Sequence, residues 1–282
     1  MDDIVTECSE GILRVELNRP RKLNAMTSSM YTKLADVFSD AAKDERIRVV
    51  LWHGAGDSFS AGNDVKDFLE NPPGAGESPQ ARLMNVLVDF DKPLIAAVRG
   101  AAIGGGTTML LHCDFVYAGE STRFQMPFIN LAVVPEFGSS CLLPLTIGHI
   151  RAAELILLGL PFGASRAAEL GLATQVVPDQ NLLQVATETA RNLAAKPAGA
   201  LQASKRLLKR SFREQIKTAM KAENEAFSVQ VRSEDAKEAM TAFLAKRPPD
   251  FTKKDKPVPA TEGRCQPTDM QKCRRNTSAS MS

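Results

Sequence analysis

An α/β fold is predicted by three observations. Short β-type runs alternate with helical patterns over the first half of the chain. Three of those runs, Val49–Trp52, Pro93–Val98 and Phe115–Ala118, are continuously apolar, as strands covered on both faces are. Beyond about residue 150 the pattern turns mostly helical, so the α/β body is followed by a helical segment.

The elements follow in order. Ile12–Leu17 alternates apolar and polar residues, the mark of a half-buried strand, and Asn18-Arg19-Pro20 breaks it. Thr27 is placed to cap a helix running to about Lys43, with Met30, Leu34 and Phe38 at four-residue spacing. After the strand Pro93–Val98 comes a glycine turn, then an apolar helix from about Gly106 to Leu111. Arg151–Leu158 and Ser165–Leu170 read as helices, the second stopped by Gly171. Asn181–Ala195 follows and ends before Pro197. Ala200–Ser211 and one long helix from about Glu214 to Lys246 complete the fold, closed by Pro248-Pro249. These readings divide the chain into a core of 1–198, a helical subdomain of 199–252 and a tail of 253–282. The tail is rich in Pro, Lys, Thr and Ser and too poor in apolar residues to offset chain entropy, so it is expected to be disordered.

Composition narrows the function. Formal net charge is +2, but the tail holds seven basic residues against three acidic ones, leaving a weakly acidic body. A nucleic-acid partner is not expected, because such domains carry a basic stripe. No apolar run reaches the ~18 residues that span a bilayer, so no membrane partner is expected either. Five cysteines without a C-x-x-C pair read as reduced thiols. Met1-Asp2-Asp3 opens no secretory or mitochondrial leader, and Ser280-Met281-Ser282 is not a Ser-Lys-Leu address. The expected location is therefore cytoplasmic. His53, His112 and His149 show no metal-like spacing and are assigned structural roles.

Two segments are built to present backbone N–H groups: Phe59-Ser60-Ala61-Gly62-Asn63-Asp64 and Ala102-Ile103-Gly104-Gly105-Gly106. A carboxylate, Glu136, follows in Val134-Pro135-Glu136-Phe137-Gly138-Ser139-Ser140. By residue type alone, Glu136 reads equally as a surface-loop acid and the glycine run as a tight turn. Asp64 and Asp114 read as turn caps.

Taken together, these segments resemble the crotonase, or enoyl-CoA hydratase/isomerase, superfamily. The resemblance runs from about Ile12 to Phe251. It is carried by Asn18-Arg19-Pro20 with Lys22-Leu23-Asn24-Ala25, the Phe59–Asp64 turn, Lys92–Gly100, Ile103–Gly106, Cys113-Asp114 and Ala167–Leu172. The resemblance implies a spiral of ββα turns followed by a helical trimerisation segment. It implies an acyl-CoA substrate, an oxyanion hole from the N–H groups of Asn63 and Gly105, and a homotrimer or dimer of trimers. No metal or redox cofactor is implied, CoA being part of the substrate. Lys22, Leu23, Ser60, Ala61, Gly62, Asp64 and Gly104 fall at substrate-binding positions, although Lys22 also reads as a solvated surface lysine.

Hydratases of this family carry two glutamates, whose places are taken here by Thr108 and Phe128. Activating water needs acid/base groups, so hydration should be poor. Glu136, eight residues beyond Phe128, lies where Δ3,Δ2-enoyl-CoA isomerases of the peroxisomal type hold their single base. The reading is therefore isomerisation of 3-enoyl-CoA to 2-enoyl-CoA by Glu136. The alternatives are another CoA-enolate reaction (weak hydration, dienoyl-CoA isomerisation or thioester hydrolysis) or non-catalytic acyl-CoA binding.

Overall fold

The computed structural model describes residues 2–70 and 77–252, with the side chains of 68 and 69 excepted. The predicted disordered tail, 253–282, lies outside the described residues. Six strands form the main sheet in the order β1 (Ile4–Ser9), β2 (Ile12–Leu17), β3 (Val49–Gly54), β4 (Leu94–Val98), β6 (Phe115–Gly119), β9 (Gln175–Val177). Only the β1–β2 pair is antiparallel; every later neighbour is parallel. A smaller sheet joins β5 (Ala101–Ile103), β7 (Arg123–Gln125) and β8 (Phe162–Gly163).

The continuous apolar runs have the cause the sequence suggested. Val50 and Trp52 of β3 enter one core, while Val49 and Leu51 enter another on the opposite face. The first core is covered by the helices Ser28–Lys43 and Pro79–Asp89. Phe38 packs edge-on to both Trp52 and Phe90, with centroids 5.2 and 5.4 Å apart. The second core is closed by Leu182, Ala186 and Ala190 of the helix Leu182–Ala194. Thr27 caps the first helix by accepting from the Met30 N–H at 3.3 Å.

Three expectations change. The predicted helix Gly106–Leu111 is one α-turn, Gly105–Thr108, followed by a 3₁₀ turn, Met109–His112. The long C-terminal helix is two helices, Arg213–Gln230 and Glu234–Leu244. Ser233 breaks it by capping the second: its hydroxyl accepts from Ala236 N–H at 3.1 Å, with Glu234 and Asp235 favouring the new N-terminus. A helix at Ser139–Ile147, with Pro144 inside it, was not anticipated.

Residues up to Asp250 form one compact unit. Within it, Arg213–Gln230 packs on Pro79–Asp89 and Ser139–Ile147. Within the segment that the resemblance assigns to trimerisation, Ile216 and Met240 are buried within the chain, whereas Leu207, Leu208 and Phe243 remain exposed. Leu145, Ile150, Leu157, Leu158 and Leu160 add to the exposed apolar surface. No described helix is long and apolar enough to cross a membrane.

Candidate active site

The smaller sheet brings the two donor segments together. Ser60 bridges to Ala102 in parallel, its N–H bonding Ala101 O and its carbonyl accepting from Ile103 N–H, both at 2.9 Å. Met26 bridges to Asn63, with Met26 N–H on Gly62 O at 2.7 Å. Ser60 is therefore held along β5 by an isolated bridge, and Asn63 along Met26 by another. The approach is close enough to require glycine. A Cβ on Gly62, which has φ +83°, would lie 2.5 Å from Ile103 O and 3.7 Å from Gly105 N. Gly105 opens its helical turn, so its N–H has no partner in the preceding turn. Neither the Asn63 nor the Gly105 N–H is bonded to a backbone carbonyl among the described residues.

Glu136 reaches the same place. A Cβ on Gly105 would sit 2.8 Å from Glu136 Oε1 and 3.1 Å from the Tyr31 hydroxyl. Glu136 is 5% exposed, and its Oε1 has no hydrogen-bond partner among the described residues. Burial pushes its carboxyl up from 4.5 to about 8, and the Glu223 carboxylate adds to the effect. The candidate base is thus desolvated, beside two free N–H donors.

The turn carrying Glu136 is held by His112, in the structural role expected of it, and by Glu223 and Ser139, which sequence reasoning passed over. Phe137 adopts φ +61°, uncommon for a bulky residue. His112 donates from Nε2 to Phe137 O at 2.7 Å. Burial lowers the imidazole to about 4, which keeps it neutral with Nε2 as its donor. Glu223 accepts from Gly138 N–H at 2.7 Å and Ser140 N–H at 2.8 Å, bracing the N-terminus of Ser139–Ile147. Ser139 Oγ donates to Glu136 O at 2.6 Å.

Tyr31 was also missed as a site residue. Its buried hydroxyl donates to Asn63 Oδ1 at 2.5 Å. Burial, and then the Glu136 charge, hold its pKa well above the usual phenol value, so it stays a donor. With Oδ1 engaged, the Asn63 NH₂ group makes no hydrogen bond among the described residues, and Asn63 lines the same cavity as Glu136. The side chain of Asn63, given no role from sequence, is therefore a further donor at the site.

A cavity of about 640 Å³ contains most of the remaining candidates: Lys22, Ala61, Gly62, Asp64 and Gly104 line it with Asn63, Gly105 and Glu136. Leu23 and Ser60 lie outside the lining. Leu23 O holds the Ala61 N–H at 2.9 Å, and Ser60 Oγ donates to Asn24 O while accepting from Gly62 N–H. Both shape the donor turn from behind. Asp64 is engaged by Arg19 at 3.1 Å and accepts from the Lys66 and Asp67 N–H groups, as a cap does. Asp114 accepts from Leu94 N–H and pairs with Lys205 at 2.6 Å. Thr108 is fully buried, its hydroxyl on Gly104 O, and Phe128 forms part of the cavity wall.

Comparison with known proteins fits this geometry. The family model for enoyl-CoA hydratase/isomerase matches residues 7–254. The chain belongs to the enoyl-CoA hydratase/isomerase family. This family member is 37% identical to 1,2-epoxyphenylacetyl-CoA isomerase of Escherichia coli, over 90% of this chain and 100% of that protein. It is 31% identical to human enoyl-CoA delta isomerase 2, over 87% of this chain and 64% of that protein. A solved enoyl-CoA hydratase/isomerase from Pseudoalteromonas atlantica superposes with TM-score 0.84 at 37% identity, covering 89% of this chain and all of that one. The fold is therefore the crotonase fold. The names of the relatives divide between isomerases and hydratases.

Proposed function

We propose that this family member isomerises a 3-enoyl-CoA to the 2-enoyl-CoA, with Glu136 taking the C2 proton and returning it at C4. The observation that carries the reading is the unpartnered Glu136 Oε1 beside Gly105, facing a cavity with no second free carboxylate at the two hydratase positions. The thioester oxygen would sit between the Asn63 and Gly105 N–H groups, where enolate charge develops. One such donor is worth roughly 2.7–4 kcal/mol. A carboxyl held near 8 is matched to a carbon acid better than an ordinary one. Lys22 and Lys66, at the same cavity, are placed for CoA phosphates. The relatives include both isomerases and hydratases, so the choice between them rests on Glu136 and on Thr108 and Phe128.

A homotrimer, or a dimer of trimers, is proposed on the exposed leucines of 145–160 and on Leu207 and Leu208. A cytoplasmic location and independence from metal or redox cofactors are part of the same reading. The deciding assay compares 3-enoyl-CoA isomerisation with 2-enoyl-CoA hydration in one preparation. Hydration should be at least ~10²-fold slower, the low end of what a lost acid/base group costs. Comparable kcat/KM values would overturn the reading.

A further inference from the structure

A second cavity, of about 460 Å³, meets the first at Asn63, Glu136 and Phe227. Its walls change character along their length. Its buried part is apolar: Met84 and Met220, each 2% exposed, line it together with Phe227 and Glu136. Its more open part is polar, with half-buried Gln80 on the helix Pro79–Asp89, and exposed Lys221 and half-buried Asn224 on Arg213–Gln230. Asn224 lies one turn beyond Met220, so one helix face supplies both the apolar and the polar zone.

The polar zone is only partly satisfied from within. Lys217 is paired with Asp89 at 2.9 Å, and Asn85 donates to Glu77 at 2.7 Å. Lys221, Asn224 and Gln80 have no side-chain hydrogen bond or ion pair among the described residues. Glu225, the other acid of the lining, offsets the charge of Lys221, so the zone favours hydrogen bonding over one sign of charge. A methyl terminus placed there would strip water from the half-buried Asn224 and Gln80 amides without replacing it, and would leave the exposed Lys221 ammonium unused. A polar terminus would pair with them.

We propose that the acyl chain runs past Glu136 between Met84, Met220 and Phe227, and ends in a hydrogen-bonding group held by Lys221, Asn224 and Gln80. The preferred substrate class is therefore an acyl-CoA with a polar far end, hydroxyl or carboxylate, rather than a plain alkyl chain. The inference rests on the acyl-CoA site proposed above.

The test uses saturated, unreactive thioesters, so that its outcome is independent of isomerisation. Calorimetry on the full chain compares hexanoyl-CoA with 6-hydroxyhexanoyl-CoA and the ω-carboxy six-carbon acyl-CoA. Both polar ligands should bind about tenfold tighter than hexanoyl-CoA, the size of one or two buried hydrogen bonds. The double variant Lys221→Met/Asn224→Leu should bring that ratio to within about twofold of unity. Equal or tighter binding of hexanoyl-CoA to the parent chain would overturn the proposal, and so would an unchanged ratio in the variant. Failure of the isomerase reading would appear separately, as absent turnover of 3-enoyl-CoA with these binding ratios intact.

Discussion

Glu136→Gln is expected to remove turnover and raise stability together. The folded carboxyl titrates at about 8 where its ordinary value is 4.5. That difference corresponds to roughly 5 kcal/mol in favour of the neutral form. Glu136 opens on two cavities that admit water, so about 2–5 kcal/mol is the expected range. Between these two pKa values the folded state holds a proton that the unfolded state has released. Stability therefore falls as pH rises from 4.5 to about 8, and is flat above. Glutamine mimics the neutral carboxyl and escapes the loss. The melting temperatures of variant and parent should be similar near pH 4.5 and diverge up to about pH 8. In a chain of this size the gap should reach at least about 4 °C. Isomerase kcat should fall ~10²–10⁴-fold, the contribution of a positioned base. Scanning calorimetry across pH, beside a coupled assay on 3-enoyl-CoA, measures both. A variant that keeps near-normal turnover, or a gap that does not grow with pH, would refute the assignment of Glu136 as a desolvated base.

Further outcomes follow from the surrounding groups. In the parent enzyme, kcat/KM should rise about tenfold per pH unit and level near 8, as ionisation of one base requires. In Glu223→Gln that limb should move to lower pH, because a like charge is removed from Glu136. The same variant should melt about 2–8 °C lower, since one of the Gly138 and Ser140 N–H groups loses its acceptor. Tyr31→Phe should lower kcat/KM about tenfold by releasing the Asn63 amide, with acyl-CoA binding measured in parallel to separate orientation from affinity. Light scattering at micromolar concentration should show a trimer or its dimer; a monomer alone would leave Leu157, Leu158, Leu207 and Leu208 without a reason to be exposed.

The sequence by itself determined the α/β core, because its strands are short apolar runs and its helices repeat at four-residue spacing. It also determined which backbone donors and which carboxylate to examine, since glycine-rich turns and the Glu136 segment are contiguous stretches of chain. What it missed has two causes, local capping and contacts between segments distant in sequence. Ser233 divides the C-terminal helix because a cap competes with helix continuation over a few residues, a local balance that periodicity does not register. Tyr31 sits among Met30, Leu34 and Phe38 on a helix face that reads as core. Only the Met26–Asn63 bridge turns its hydroxyl into a clamp on Asn63. Glu223, within Lys221-Ala222-Glu223-Asn224-Glu225, looks like any solvated acid until Ser139–Ile147 sets its N-terminus against it. The upward direction of the Glu136 pKa is already indicated by its apolar flanks Leu131, Val133, Val134 and Phe137, and tertiary neighbours complete it. Desolvation is a property of everything that surrounds a carboxyl, and its neighbours Tyr31, Gly105 and Glu223 come from three separate parts of the chain.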